Sequence, residues 1–212
     1  RHMLNYSCVA NSDGIRSIPD SIFCSGHATL DQLVAFGLPE GRAKIGGALR
    51  FADVRMPRFD PTAPIFVALP FDRETAFEMV EAAKAASTQG FRFLVKDHPM
   101  FPFTFAESEA VQHCTVPFSE QEGLSAVVFA ATTVGLEAIL AGLPTLRFRP
   151  RNRIALDILP RNIHTPTVNA RSLPDKLRRV STPSCVEREH IFGSINVPLW
   201  QDAIEAERLA SS

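Results

Sequence analysis

The chain carries almost no surplus charge: 22 basic against 23 acidic residues leave a net charge of −1. A protein that neutralises nucleic-acid phosphates over a broad face has a clear basic excess, so a global nucleic-acid footprint is excluded. Any hold on an anion must come from a local cluster. Cysteine is scarce. Cys8, Cys24, Cys114 and Cys185 never fall at CxxC spacing, which excludes a zinc knuckle or a thioredoxin-type motif. Their wide separation fits reduced thiols in a cytosolic protein, and a chain of 212 residues needs no disulfide staple. No apolar run is long enough to span a bilayer, and no signal-peptide pattern is visible. HExxH, Walker, GxSxG and GxGxxG motifs are missing, as are internal repeats and low-complexity tracts.

What is present is an ordinary globular composition, 45% hydrophobic and 21% charged. The length suits one large domain, or one domain carrying pieces of another. The opening Arg1-His2-Met3 reads as a tag scar ahead of a chosen start, so an excised fragment is expected.

Residues 4–60 are irregular. Ser21-Ile22-Phe23-Cys24 reads as a strand, and Leu30, Leu33, Val34 and Phe36 predict a helix over 28–36, capped by Gly37. Residues 43–51 read as a strand running into a Gly46-Gly47 hinge, with Arg50 beyond it. Residues 52–64, with three prolines, read as a linker. From residue 65 the pattern is regular. The continuous apolar run at 65–69 predicts a strand buried on both faces; residues 125–130 read as another buried strand, and 91–95 and 144–148 as further strands. A helix is predicted over 73–88, with Phe77, Val80, Ala83 and Lys84 at helical offsets. A strand is expected near 114–116, and Ser119 with Glu122 has capping-box spacing for a short helix. Another helix is expected from 132 to about 141, a last strand at 165–168, and a short helix at 172–180. Phe66, Phe77, Phe91, Phe93 and Phe129 read as core. This β-α-β-α alternation implies a Rossmann-like parallel sheet with helices on both faces, whose ligand lies at the carboxyl ends of the strands.

Two segments meet that condition. Thr132-Thr133-Val134-Gly135-Leu136-Glu137 sits where a helix begins. Free N–H groups and the positive dipole end suit phosphate there, the threonine hydroxyls add donors, Gly135 allows a close approach, and Glu137 could accept from ribose hydroxyls. The plain alternative is an ordinary N-cap threonine and a dipole-complementing surface acid. Lys96-Asp97-His98-Pro99 follows a strand directly, so Lys96 and His98 could donate to phosphate oxygens; the alternative is a loop histidine without a ligand. Arg50 could reach an anion across the hinge, or be a surface arginine beside a turn. The dense run Arg147-Phe148-Arg149-Pro150-Arg151-Asn152-Arg153 could neutralise a diphosphate, but with one interleaved aromatic it reads first as a solvated basic loop. Asp97 and Glu137 show no sign of an acid/base pair.

On these residues the chain resembles the C-terminal, donor-binding domain of GT-B fold bacterial glycosyltransferases that build surface or capsular polysaccharides. Cys24-Ser25-Gly26, residues 33–37 and residues 46–51 look like the end of an N-terminal domain and the crossing into the next. Residues 96–99 are similar to a His-Pro element, and 132–143 to a hydroxyl-rich turn followed by Glu. Phe192-Gly193 and Trp200 look like a C-terminal tail that folds back as a helix. The resemblance spans roughly 20–205. It implies residues 4–60 as the end of an N-terminal domain with its linker, and 61–212 as a nucleotide-sugar donor domain. It also implies that Thr132, Thr133 and Val134 cradle the donor phosphate, that Glu137 holds the ribose, that His98, helped by Lys96, meets the leaving nucleotide, and that Arg50 sits at the cleft.

The chemistry implied is metal-independent and needs no cofactor. The acceptor is a carbohydrate bound through a missing N-terminal domain, nucleic acid is no partner, and the full-length protein is cytoplasmic with a peripheral membrane association. Such donor domains often carry two glutamates eight residues apart. Phe129 occupies the first of those positions, which argues for inversion. A fragment of this kind binds nucleotide but transfers little sugar. Rival readings are a UDP-sugar epimerase, whose further acidic residues are not found here, and a non-catalytic interaction or nucleotide-binding domain.

Overall fold

Six short apolar strands organise most of the chain, and their pairing sets everything that follows. The structure is a computed structural model that describes residues 19–48, 56–153, 158–160, 163–180 and 186–210. The chain divides into two units: residues up to Val54 together with Glu187–Ser212, and Arg55–Val186.

In the second unit β3 (Arg58–Phe59) pairs with β7 (Gly123–Leu124). The main sheet contains β4 (Ile65–Ala68), β5 (Phe93–Lys96), β6 (Val111–His113), β8 (Ala126–Phe129), β9 (Thr145–Phe148) and β10 (Thr167–Val168), all parallel, in the order β10-β9-β8-β4-β5-β6. The chain builds outward from β4 in one direction, then returns to β4's other side and builds outward again. The order therefore reverses between β4 and β8, and the crevice above their carboxyl ends is where doubly wound sheets bind ligands.

Alternation of side chains explains why both faces are apolar. Ile65, Val67, Phe93, Val95, Ala126 and Val128 face α2 (Arg73–Ser87) and α4 (Leu173–Arg179). The alternate positions point the other way: Phe66 meets Phe118 edge-on at 5.6 Å, and Phe129 lies under α3 (Val134–Leu140). Helix α2 buries Ala76, Met79, Val80, Ala83 and Ala86. Val80 and Ala83 lie in the buried stripe as expected, but Ala76 and Met79 complete it in place of Phe77 and Lys84, because small residues let the helix sit close to the sheet. Phe77, expected in the core, is 59% exposed as a result, and Phe91 is only partly buried. The expected strand at 114–116 begins earlier: β6 is Val111–His113, and the Cys114 N–H adds one further bond to the Val95 carbonyl before Pro117 ends the ladder. The Ser119–Glu122 spacing yields a 3-10 turn, Phe118–Glu120, with no side-chain cap.

The first unit is a β-α-β element. Strands β1 (Ile22–Cys24) and β2 (Ala43–Ile45) pair in parallel, and α1 (His27–Ala35) connects them. Helices α5 (Arg188–Ile191) and α6 (Val197–Ala210), far along the chain, belong to this unit. Its core holds Cys24, Leu33, Leu38 and Ala43. Burial pushes the Cys24 thiol above its ordinary range, so it stays protonated at neutral pH. Gly46 and Gly47 are packing positions. A Cβ on Gly46 would meet Phe23 at 2.9 Å and the Trp200 indole at 3.1 Å, while Gly47 has φ +82° and lies against Ser194 and Ile195. Trp200 donates its indole N–H to the Gly46 carbonyl at 2.9 Å and meets Phe23 edge-on.

Candidate functional site

The carboxyl ends of β5, β4 and β8 lie in one row: Ala68 is in register with Lys96 on one side and Phe129 on the other. The loops that leave these ends carry most of the residues expected to bind a ligand.

The turn from β8 into α3 is the most constrained. Ala131 has φ 47°, a left-handed conformation that costs a residue with a Cβ about 1–2 kcal/mol and that clusters at functional turns. It swings the chain so that Thr132, Thr133 and Val134 reach the edge half-exposed. The Val134 N–H contacts Thr132 Oγ1 at 3.4 Å, and the N–H groups of Gly135, Leu136 and Glu137 bond back to the carbonyls of Thr132 and Thr133. Among the described residues the N–H groups of Thr132 and Thr133 have no backbone partner, so an anion here would be met by these two donors and the Thr132 hydroxyl, the Thr133 hydroxyl being turned to Glu137. Gly135 does something other than expected. It is buried, its N–H is used, and a Cβ would lie 2.4 Å from the Phe129 ring. Its missing side chain accommodates that ring and admits no ligand. Glu137 is also covered, at 6% exposed, with its Oε1 3.5 Å from the Thr133 hydroxyl. Its carboxylate orients Thr133 before it can touch anything beyond. Helix α3 has only seven residues, so its dipole is a modest contributor.

The loop after β5 splits its two basic residues. Lys96 Nζ donates to the Thr115 carbonyl at 2.8 Å, toward β6 and away from β8. His98 stays at the edge: its Nδ1 accepts from the Met100 N–H at 3.3 Å, and its carbonyl accepts from the Phe101 N–H at 2.9 Å. An N–H can only donate, so Nδ1 is the acceptor nitrogen and the neutral ring carries its proton on Nε2, available to a ligand oxygen. The structure therefore brings Thr132, Thr133, Val134, Glu137 and His98 to one sheet edge with β4 between them, and turns Lys96 outward. Arg50 lies outside the described residues.

Sequence reasoning missed two features of this edge. Asp97 Oδ1 lies 3.4 Å from His113 Nε2. Phe71, in the loop after β4, packs near Phe101, with ring centroids 6.3 Å apart. Each pair joins residues at the ends of neighbouring strands or in the loops just after them, so the only signal was the pairing of β4 with β5 and of β5 with β6.

The basic run at 147–153 is held as a structural loop. The Arg151 N–H donates to both Glu78 carboxylate oxygens at 3.2 and 3.0 Å, and Arg153 pairs with Asp72 and Glu74. The Arg153 guanidinium is engaged at the start of α2. Cavities of about 520, 750 and 270 Å³ lie beside Phe77 and Arg153, beside Arg58 and Glu122, and beside Phe59 and Leu177 respectively. None of these three touches residues 132–134 or His98. The first is a shallow depression on the outer face of α2, and the last lies at the amino ends of the strands, opposite the ligand edge. Among the described residues no cluster of His, Cys, Asp and Glu could hold a metal ion, and no helix is long and apolar enough to cross a membrane.

No family profile and no curated sequence matches the chain. Solved structures do match. The fold is similar to that of UDP-GlcNAc 2-epimerase from Methanocaldococcus jannaschii, solved in complex with UDP-GlcNAc and UDP, with a TM-score of 0.53 at 12% identity. The likeness covers 89% of this chain and 61% of the epimerase chain, so the chain spans less than two thirds of that enzyme. The six-stranded parallel sheet with its helices is thus a GT-B-like Rossmann domain, a fold shared with an enzyme that handles UDP-sugars.

Proposed function

We propose that this chain binds a nucleotide-activated sugar at the carboxyl edge of its main sheet and is the donor-binding part of a glycosyltransferase that builds a surface polysaccharide or glycan. One observation carries the reading: the strained turn at Ala131 presents two threonines, with their hydroxyls and N–H groups, beside the crevice where the strand order reverses. The diphosphate would rest on Thr132, Thr133 and the backbone of Val134. Glu137 would hold Thr133 in place and border the ribose. His98 Nε2 would donate to the leaving nucleotide. Fixed donors of this kind stabilise charge as it develops on the departing phosphate, which is the work a metal does in other transferases. Lys96 contributes to the local field from the β6 side. The carbohydrate acceptor would be bound by a further domain.

Thermal-shift titration with CDP, CMP, UDP and GDP tests this. At least one should raise the melting temperature, with no loss when a chelator is added. Thr132→Val with Thr133→Val should abolish the rise. No stabilisation by any of the four sinks the proposal.

The fold likeness favours a second reading, epimerisation of a UDP-sugar. Incubation with UDP-GlcNAc separates the two. An epimerase converts the sugar with no acceptor present, whereas a transferase releases UDP only when an acceptor glycan is supplied.

A further inference from the structure

Two aromatic rings stand in water at the ligand edge, and the fold holds them there. Phe71 lies three residues beyond the end of β4 and is 43% exposed; Phe101 follows β5 and is 45% exposed. Phenylalanine ordinarily goes inside, and here Phe66, Phe93, Phe129 and Phe148 do. Phe59 and Phe77 are also exposed, but one is on β3 and the other on the outer face of α2. Phe71 and Phe101 differ in being paired, at 6.3 Å and 52°, with the His98 ring a further 5.5 Å from Phe101. Phe101 is also fixed. Its N–H bonds the His98 carbonyl, a bridge joins the two residues, and the Met100 N–H ties down the imidazole between them. The result is a wall of two rings ending in a hydrogen-bond donor, built by the first two strand-end loops of the sheet.

We propose that Phe71 and Phe101 form the stacking wall for the nucleobase of the ligand, with His98 at its phosphate end. This deepens the nucleotide-sugar reading above and rests on it. The occupant follows from what adjoins the wall. A flat π-face meets a flat π-face, and the neighbouring His98 Nε2–H suits the phosphate that a nucleotide carries one ribose away from its base. Phenylalanine has no polar atom, so the wall cannot distinguish one base from another by hydrogen bonding. Base–aromatic stacking is tolerant of base identity for that reason. The wall therefore supplies affinity, and the choice of base rests with other groups.

The test is calorimetric titration of the full chain with UDP, CDP, GDP and inorganic pyrophosphate, using wild type, Phe71→Ala/Phe101→Ala and Phe71→Leu/Phe101→Leu. Both rings are half in solvent, so the variants should fold, which their melting temperatures verify. For whichever nucleoside diphosphates wild type binds, the alanine pair should weaken affinity by roughly 5- to 150-fold, the range for losing base stacking. The leucine pair should recover little of it, because bulk without a π-face does not stack, and pyrophosphate affinity should be unchanged. A folded alanine pair that binds nucleotide as wild type does overturns the wall while leaving the nucleotide site standing. Equal loss for nucleotide and pyrophosphate also overturns it, since the rings would then serve only to place His98. Wild type that binds no nucleoside diphosphate overturns both readings, and an acceptor sugar or a second copy of the chain becomes the candidate occupant.

Discussion

At the scale of single residues, small atoms decide which side chains face the ligand. Gly135 looked like a position for phosphate, yet its hydrogen faces the ring of Phe129. Gly135→Ala should therefore cost about 1–3 kcal/mol by overpacking, seen as a lower urea midpoint, and Phe129→Leu in the same chain should restore part of it. If the substitution left stability intact and removed only nucleotide binding, the glycine would belong to the site after all. Glu189 gives a prediction of different sign. Its carboxylate accepts the Ser194 N–H and hydroxyl, both at 2.9 Å, and these bonds hold it below the usual glutamate range. A depressed carboxylate contributes stability above its unfolded pKa and loses it as pH falls through the folded one. Exchange of the Ser194 amide, corrected for intrinsic rate, should accelerate as pH drops below the ordinary glutamate range. Glu189→Gln should flatten that dependence. Residue types alone suggested Thr132, Thr133 and His98 because each follows an apolar run. They could not suggest Asp97 with His113, 16 positions apart, or Phe71 with Phe101, 30 apart. Those pairs exist only once neighbouring strands are paired.

At the scale of elements, caps and stripes separate what was readable from what was not. The apolar-rich segments at 65–69, 91–95, 125–130 and 144–148 became strands because a sheet covered on both faces buries both sides of each one, as at Ile65–Ala68 and Ala126–Phe129. β6 was misplaced because it is three residues long, with equally apolar residues just beyond it. Helix α2 was legible by periodicity, with Val80 and Ala83 correctly on its buried face, but Phe77 and Lys84 lie off it. A bulky Phe77 draws the eye, while the sheet selects the alanines that allow close approach. The cap of this helix is Asp72, which accepts the Thr75 N–H at 3.1 Å and also the Thr75 hydroxyl. Asp72→Ala should lower stability by about 1 kcal/mol in urea unfolding, and Asp72→Asn should keep most of it. Arg153→Ala, which removes only the exposed ion pairs with Asp72 and Glu74, should stay within about 0.5 kcal/mol. A larger effect from Arg153 would mean that the 147–153 loop braces the start of α2 more firmly than exposed charges can.

At the scale of the whole molecule, the parallel α/β class was legible from alternation, but the strand order was not. Nothing in a string of apolar runs says that β8 returns to the side of β4, and that return creates the crevice. In the first unit the two strands and the helix between them were legible, but not their assembly with helices from the far end of the sequence. Trp200 is the single tryptophan, so its emission reports this unit. Gly46→Ala, which drives a methyl group into Phe23 and the indole, should lower the emission-monitored midpoint by about 1–3 kcal/mol. An unchanged midpoint would mean that the indole packs elsewhere in solution.

The bond from Trp200 to Gly46 spans 154 positions of sequence. On the ribosome, therefore, the strands β1 and β2 emerge early and must wait, with one flank bare, while every strand of the large sheet is synthesised and paired. They are sealed only when the last helix is released. Translation that stalls before that helix would leave a finished sheet tethered to an open, sticky pair of strands, a ready target for chaperones and proteases.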